Sequence, residues 1–192
     1  MNRVVVFVSG APGSGKTTLA RPLAAQLGFP LFAKDTIKES LHDTLGADEP
    51  HGPDGEVTLR WSNRLGGASM ELLWTLARDA PRCVLEANFR PAHAHQRERL
   101  RELTTGGRLV EVHCACPPDE AARRFDLRGA QPGRHPVHLW RTLPPESRAE
   151  YTGPLALGPV VEVDTTRAVD VARVAAAVRA VLAADPGRQS ST

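Results

Sequence analysis

Cysteines are few in this chain, and long apolar runs are missing. The 192 residues include three cysteines, which lie inside apolar, strand-like runs: Cys83, Cys114 and Cys116. Their odd number and their spacing argue against a disulfide scaffold and a structural zinc site, so we expect buried, reduced thiols. No stretch approaches the ~20 apolar residues of a membrane span, and the run Val4–Val8 is too short for a signal peptide. We therefore expect a cytoplasmic protein without a membrane partner.

A strong charge of one sign is also missing. The 24 basic residues nearly balance the 22 acidic residues, which leaves a net charge of +2 and no field that would favour nucleic acid as a partner. Only three basic residues are lysines, Lys16, Lys34 and Lys38, which we interpret as a compositional bias. The length suits one domain of ordinary size. We expect residues 1–184 to form a single domain and residues 185–192 a flexible tail.

Short apolar runs alternate with helical patterns along the chain. This alternation is typical of a parallel β-sheet that is covered by helices on both faces. The apolar runs predict strands at about residues 3–9, 31–34, 83–87, 108–116 and 160–164. Helical patterns are found before Gly28 and at about residues 36–45, 56–79, 91–103, from 117 onward and at 171–182. Glycine and proline are concentrated in residues 46–55, a predicted substrate-facing or mobile loop, and in residues 129–145, a predicted lid-like segment.

Residues 10–17 match the phosphate-binding pattern G-x-x-x-x-G-K-[ST] in full, between a predicted strand and a predicted helix. The glycines let successive backbone N–H groups point at phosphate oxygens, and the helix dipole adds positive potential. Lys16 supplies a cation for the β- and γ-phosphates and is a predicted catalytic residue, while Thr17 offers a hydroxyl to Mg²⁺. The predicted nucleotide-binding residues here are Gly10, Ala11, Pro12, Gly13, Ser14, Gly15, Lys16, Thr17 and Thr18.

Two carboxylates fall at predicted strand ends, the edge of a parallel sheet where ligands bind. Asp35 follows the second strand, where it can accept the proton of a substrate hydroxyl that attacks the γ-phosphate. The alternative for Asp35 is an N-cap of the next helix. Glu86 ends the third strand and is a candidate ligand for the water shell of Mg²⁺, or else a substrate contact.

The tripeptide Asn88, Phe89 and Arg90 follows Glu86 at the same edge. It offers a polar group, an aromatic ring and a cation, so we predict that it binds substrate together with Asp35 and Glu86. A plain strand-to-helix turn is the alternative for these three residues.

Three arginines are candidates for binding phosphate. Arg124 and Arg128 are four residues apart on one helical face, and Arg134 follows in the lid-like segment. Because guanidinium groups stabilise the negative charge of phosphoryl transfer, we predict catalytic roles for Arg128 and Arg134 and a nucleotide contact for Arg124. The alternative for Arg124 is a surface ion pair with Glu120.

Residues 39–56 contain six carboxylates and no lysine or arginine: Glu39, Asp43, Asp48, Glu49, Asp54 and Glu56. If this cluster faces the cleft, it favours an acceptor that carries amines. The alternative is a solvated loop.

With these residues the chain resembles the P-loop kinases grouped with zeta toxins, chloramphenicol phosphotransferase and bacterial ATPase-like small-molecule kinases. The resemblance spans about residues 3–183 and is carried by residues 10–17, 33–35, 86–90 and 120–128, which lead into 134–136. It implies an α/β, three-layer P-loop fold with a five-stranded parallel sheet of order 2-3-1-4-5. It also implies ATP as the nucleotide, Asp35 as the general base and lid arginines that contact phosphates.

These patterns together predict an Mg²⁺- and ATP-dependent kinase that phosphorylates a hydroxyl group of a small molecule, such as an antibiotic or a metabolite. Three alternatives stay open: a nucleoside or nucleotide kinase, a kinase of nucleotide sugars, and a regulatory module that binds ATP and hydrolyses it slowly. Asp35 favours a kinase, because a binding module has no use for a base at the acceptor site.

Overall fold

A computed structural model of the chain describes residues 3–46, 57–105 and 107–184. Its centre is a five-stranded parallel sheet of order β2-β3-β1-β4-β5. The strands are β1 (Val4–Ser9), β2 (Leu31–Ala33), β3 (Arg82–Glu86), β4 (Arg108–Ala115) and β5 (Val160–Asp164). The predicted α/β fold class and strand order are thereby confirmed.

The helices are α1 (Lys16–Leu27), α2 (Lys34–Leu45), α3 (Leu59–Asp79), α4 (Ala94–Leu103), α5 (Pro118–Gly129), α6 (Pro145–Arg148) and α7 (Val171–Ala183), with a 3-10 turn at Ala149–Tyr151. Three of them begin two or three residues away from their predicted starts, and one of these is α3, which begins at Leu59 and not at about residue 56. Helix α2 begins two residues earlier, directly after β2, because Ala33 is already its N-cap. Helix α4 begins at Ala94 and not at Pro91, with His93 as its N-cap.

Helices cover both faces of the sheet, so β1 has buried side chains on both of its faces. Val6 and Val8 pack with apolar residues of α1 and α7. Val5 and Phe7 point to the opposite face and pack with α3 and α4. All four side chains are fully buried, which explains why β1 is a continuous apolar run without alternation.

The cysteines are free thiols, and two of them belong to this core. Cys83 and Cys114 are buried, and Cys116 is partly buried. Burial raises the pKa of Cys83 and of Cys114 to about 12, so both thiols stay protonated and unreactive at neutral pH. The prediction that these side chains are buried is confirmed for these two residues.

Residues 130–144, named the lid segment below, connect α5 to α6 without helix or strand, as their glycine and proline content predicts. The segment passes close to the end of α5: a Cβ at Gly129 would lie 2.1 Å from the carbonyl oxygen of Arg141. Val137 is fully buried against Trp61 and Leu65 of α3. The lid segment is therefore anchored to α3.

Two further predictions fall partly or wholly outside the described residues. The glycine- and proline-rich loop at residues 46–55 is described only at Gly46, and the tail at residues 185–192 is not described. No helix within the described ranges is long and apolar enough to cross a membrane.

Candidate active site

The phosphate-binding loop lies between β1 and α1, at the carboxyl edge of the sheet. Its glycines adopt positive φ angles, which side chains strongly disfavour: Gly10 (133°), Gly13 (86°) and Gly15 (91°). At Gly13 a Cβ would lie 2.0 Å from the carbonyl oxygen of Ala121, so the loop backbone packs directly on α5. Since no side chain caps α1, its first N–H groups are left to bind an anion.

The side chains of the loop also suit a bound anion. The hydroxyl oxygen of Ser14 is buried and has no hydrogen-bond partner among the described residues. Thr17 and Thr18 are exposed on the first turn of α1. Nucleotide phosphates therefore fit the loop, which offers donors that nothing in the described chain satisfies.

Lys16 is the first residue of α1 and is 5% exposed. Its Nζ donates a hydrogen bond of 2.8 Å to the carbonyl oxygen of Ala11, across the loop. Burial lowers the pKa of Lys16, and the nearby carboxylates of Glu86 and Asp35 oppose this effect. The amine is thus held inside the loop with carboxylates that favour its charged form.

Glu86 is buried at the end of β3, beside the loop. Its carboxylate is hydrogen-bonded to the side chain of Thr17, which links both residues predicted to serve the metal. Burial raises the pKa of Glu86, and the charge of Lys16 opposes this. Hydroxyl and carboxylate oxygens are the ligands that Mg²⁺ prefers, so Thr17 and Glu86 fit this ion.

Asp35 lies in the first turn of α2 with its side chain 45% exposed, and the Nζ of Lys34 lies 3.0 Å from its Oδ1. The N-cap of α2 is Ala33, so the alternative that Asp35 caps this helix is wrong. Partial burial raises the pKa of Asp35, but the charges of Lys34 and His138 outweigh this and hold it below its ordinary value. Asp35 is therefore an ionised, accessible carboxylate that interacts electrostatically with Lys16.

Arg128 and Arg134 both lie close to the ring of Phe125. Their guanidinium carbons lie 5.5 Å and 5.3 Å from its centroid. Nη1 of Arg134 is buried and has no hydrogen-bond partner among the described residues. Burial lowers the pKa of Arg134, and the charge of Arg128 adds to this. Two neighbouring cations of this kind favour an anion between or beside them.

Arg124 lies apart from this pair. Its Nε donates to Glu120 at 2.6 Å, so the ion pair considered as the alternative is present. Its Nη1 and Nη2 donate to the carbonyl oxygens of Thr165 and Thr166 at 2.8 Å and 3.3 Å. Arg124 thus fastens α5 to the loop after β5, and its contact with nucleotide stays a prediction.

The tripeptide after β3 is divided between the core and the surface. Phe89 is 1% exposed and packs edge-to-face on Phe7 at 5.4 Å. Its ring therefore belongs to the hydrophobic core, which corrects the prediction of an aromatic face offered to substrate. Asn88 is partly exposed, while Arg90 is exposed and pairs with Glu150 at 3.1 Å, in the 3-10 turn.

Lys38 is a site residue that the sequence analysis missed. It follows Asp35 by one helical turn, and its Nζ donates to Ser62 Oγ at 2.8 Å and to the carbonyl oxygen of Val137 at 3.3 Å. Burial lowers the pKa of Lys38 to about 8, and the charges of Lys34 and Arg134 add to this. All three lysines of the chain interact electrostatically with Asp35. Lysine is rare in this chain, which we interpreted above as compositional bias. That rarity was the sequence signal that could have pointed to Lys38 as a site residue.

Two carboxylates of the acidic cluster pair with histidines of the lid segment. His138 Nε2 lies 2.8 Å from Glu39, and His135 Nε2 lies 2.9 Å from Asp43. These carboxylates already have partners on the lid segment, so they give no support to an amine-bearing acceptor. The other four members of the cluster lie outside the described residues.

Residues 5–142 match the model of one protein family, the AAA domain (AAA_33). The chain belongs to the AAA domain family. In this AAA domain the matched residues include the phosphate-binding loop, Asp35, Glu86, Arg128 and Arg134, and family membership implies nucleotide binding.

Solved structures resemble this AAA domain over nearly its whole length. A Chloroflexus aurantiacus protein provisionally designated a kinase is 29% identical, with a TM-score of 0.75 over 94% of this chain and 98% of that chain. A gluconokinase from Sinorhizobium meliloti is 20% identical (TM-score 0.55, covering 95% and 93%), and a shikimate kinase from Acinetobacter baumannii is 17% identical (TM-score 0.56, covering 93% and 92%). The last two likenesses show the shared P-loop kinase fold.

Curated relatives match only a short stretch of the AAA domain. A cytidylate kinase from Pyrobaculum neutrophilum is 53% identical over 45 residues, which is 23% of this chain and 24% of that protein. A cytidylate kinase from Pyrobaculum aerophilum is 47% identical over the same share. The chain thus covers about a quarter of the length of these relatives.

Proposed function

We propose that the protein is an Mg²⁺- and ATP-dependent phosphotransferase that moves the γ-phosphate to a hydroxyl group of a small molecule, such as an antibiotic or a metabolite. The proposal includes membership of the group of zeta toxins and chloramphenicol phosphotransferase. The observation that supports it most is Asp35, a partly exposed and ionised carboxylate that interacts electrostatically with the buried amine of the phosphate-binding loop. A protein that only binds nucleotide has no need of a base there.

The loop residues account for nucleotide binding in this proposal. Loop N–H groups and Lys16 bind the β- and γ-phosphates, and Arg124 contacts the nucleotide from the side of the β5 loop. Thr17 and Glu86 would hold Mg²⁺, which neutralises charge on the phosphate oxygens. The remaining groups at this edge, Asn88 and Arg90, serve the acceptor.

The reaction is an in-line displacement. Asp35 takes the proton of the acceptor hydroxyl as its oxygen forms a bond to the γ-phosphorus. The bond from the γ-phosphorus to the bridging oxygen breaks, and ADP leaves with the electron pair. Arg128 and Arg134 stabilise the negative charge on the transferred group, and the lid segment excludes water from it.

A nucleotide kinase is the second candidate, because the curated relatives that match over 45 residues are cytidylate kinases. It makes a different prediction from the main proposal. Cytidine monophosphate would then be the best acceptor in a panel of nucleotides and hydroxyl compounds.

The test of the main proposal is Asp35→Asn. The amide keeps the size and polarity of the side chain but cannot accept a proton. We expect ATP affinity to stay within about threefold and phosphate transfer to fall by about 10²–10⁴-fold, the usual contribution of a general base. The matched control is Asp79→Asn at the exposed end of α3, which should leave both quantities unchanged.

Transfer that survives Asp35→Asn within about threefold would refute the base. Equal losses of ATP affinity and transfer would assign Asp35 to nucleotide binding instead, since a base acts in the transition state only.

A further inference from the structure

Two basic side chains, Lys38 and Arg134, interact electrostatically with Asp35 and have no ion pair with a described carboxylate. Lys16 and Arg128 interact electrostatically with each other, and in the proposed function the phosphates of ATP pair with both. Lys34 is paired with Asp35 at 3.0 Å. Lys38 and Arg134 remain, and no described carboxylate lies within salt-bridge distance of either.

Lys38 has a donor to spare. An ammonium group carries three N–H donors, and two of them serve Ser62 and the carbonyl oxygen of Val137. Both acceptors are neutral, so no anion is hydrogen-bonded to Lys38 in a position that is 7% exposed. A buried cation with neutral partners is costly unless an anion joins it.

Arg134 has a matching unused donor. Its Nη1 is buried without a partner among residues 3–46, 57–105 and 107–184. Val137 accepts a hydrogen bond from Lys38 and follows Arg134 by three residues in the lid segment. The charge of Arg134 also contributes to the lowered pKa of Lys38. A guanidinium group presents five N–H donors in a planar fork, so Arg134 can face the transferred phosphate and a second anion together.

We propose that Lys38 and Arg134 form an anion site beside Asp35, and that the hydroxyl compound phosphorylated here carries a carboxylate or a phosphate group that binds in it. This inference rests on the proposed function. Lys38 lies one turn after Asp35 on the same face of α2. An acceptor held there by its anionic group places its hydroxyl groups towards the base. Ser62 orients Lys38 and connects the site to α3.

The test compares three polyols of one chain length that differ in charge: sorbitol, gluconate and sorbitol 6-phosphate. Binding is measured by calorimetry on protein saturated with Mg²⁺ and a non-hydrolysable ATP analogue, so that the probes cannot enter the phosphate-binding loop. We expect one or both anions to bind at least about thirtyfold more tightly than sorbitol, the effect of pairing a buried charge. The better anion identifies the acceptor group as carboxylate or phosphate.

Two variants assign the site to its residues. Lys38→Met keeps the apolar part of the side chain and removes its charge. Arg134→Gln removes the second cation. Each should abolish the preference for the anion and leave the weak binding of sorbitol unchanged, and Lys38→Arg should restore part of the preference. The control is Arg60→Met, which removes an exposed cation two residues before Ser62 and should have no effect.

Several results would overturn the anion site. These are sorbitol binding as tightly as either anion, no binding of either anion, or anion binding that survives both Lys38→Met and Arg134→Gln. A loss shared by sorbitol would show a structural role instead. Anion binding that depends on Lys38, without transfer to any hydroxyl compound, would refute the proposed function alone. Transfer to neutral alcohols that ignores Lys38 would refute the anion site alone.

Discussion

Glu111 lies fully buried in the middle of β4, where its carboxylate accepts three hydrogen bonds. The donors are Ser9 Oγ at 2.5 Å, the N–H of Leu155 at 2.9 Å and the N–H of Ala156 at 2.8 Å. Glu111 thus fixes the loop before β5 to the residue that precedes the phosphate-binding loop. We therefore expect Glu111→Gln to destabilise the fold although the two side chains have nearly the same size.

The size of this destabilisation can be worked out from the three hydrogen-bond donors of Glu111. An amide has one acceptor oxygen, so with that oxygen facing Ser9 and Leu155 its NH₂ group meets the N–H of Ala156. One hydrogen bond to a charged group is lost, worth about 1.5–3 kcal/mol. The partly buried N–H of Ala156 also faces another N–H group, which adds a smaller cost. We therefore expect the free energy of unfolding to fall by about 2–4 kcal/mol, most of it from the lost hydrogen bond to the charged group. For a chain of this size that lowers the melting temperature by about 5–15 °C.

The assay is thermal unfolding at neutral pH, followed by circular dichroism. The control is Glu98→Gln, an exposed position on α4 that should melt within about 1 °C of the parent. If Glu111→Gln also melts within about 1 °C of the parent, the three hydrogen bonds do not stabilise the fold and the reasoning is wrong.

Three further predictions concern the site. Lys16→Met should reduce turnover by orders of magnitude with the fold retained, and activity within about threefold of the parent would contradict the assignment of the loop. Arg128→Lys and Arg134→Lys keep the charge but lose the planar guanidinium group, so each should lower kcat. An unchanged kcat would show that the arginine in question has no part in phosphate transfer. Burial lowers the pKa of Lys38 to about 8, in surroundings that include Lys34, Asp35, Arg134, Ser62 and His138. Affinity for the anionic probes should therefore fall as pH rises through that value, because Lys38 loses its charge. The fall should disappear in Lys38→Arg, and its persistence there would exclude Lys38 as the titrating group.

The nucleotide side of the site was predictable because its signals are local. The phosphate-binding pattern spans residues 10–17, and the apolar run before it can only be a strand buried on both faces. Asp35 and Glu86 follow from the same rule, since each lies beside the end of a predicted strand. The strand order came from the resemblance, because periodicity alone does not say which strands are neighbours.

The acceptor side was not predictable from local patterns. Lys38 and its hydrogen-bond partner Val137 are 99 residues apart in the sequence. Long-range contacts of this kind also hold the nucleotide side, where Glu111 and Ser9 are 102 residues apart. Phe89 has the same local setting whether its ring meets a ligand or Phe7, and only the packed core decides between them. The start of α2 was wrong because Asp35 suits both an N-cap and the first turn of a helix, and only the backbone angles of Ala33 distinguish the two.

Transfer of phosphate to a hydroxyl group can be followed with ATP labelled on the γ-phosphate. The protein is incubated with Mg²⁺, the labelled ATP and a panel of hydroxyl compounds that includes the three polyols and cytidine monophosphate. We expect the label to appear in a phosphate ester of an anionic hydroxyl compound, with one ADP formed for each ester. Label that appears only as inorganic phosphate, at the same rate with and without acceptors and unchanged by Asp35→Asn, would contradict it and identify a nucleotide hydrolase.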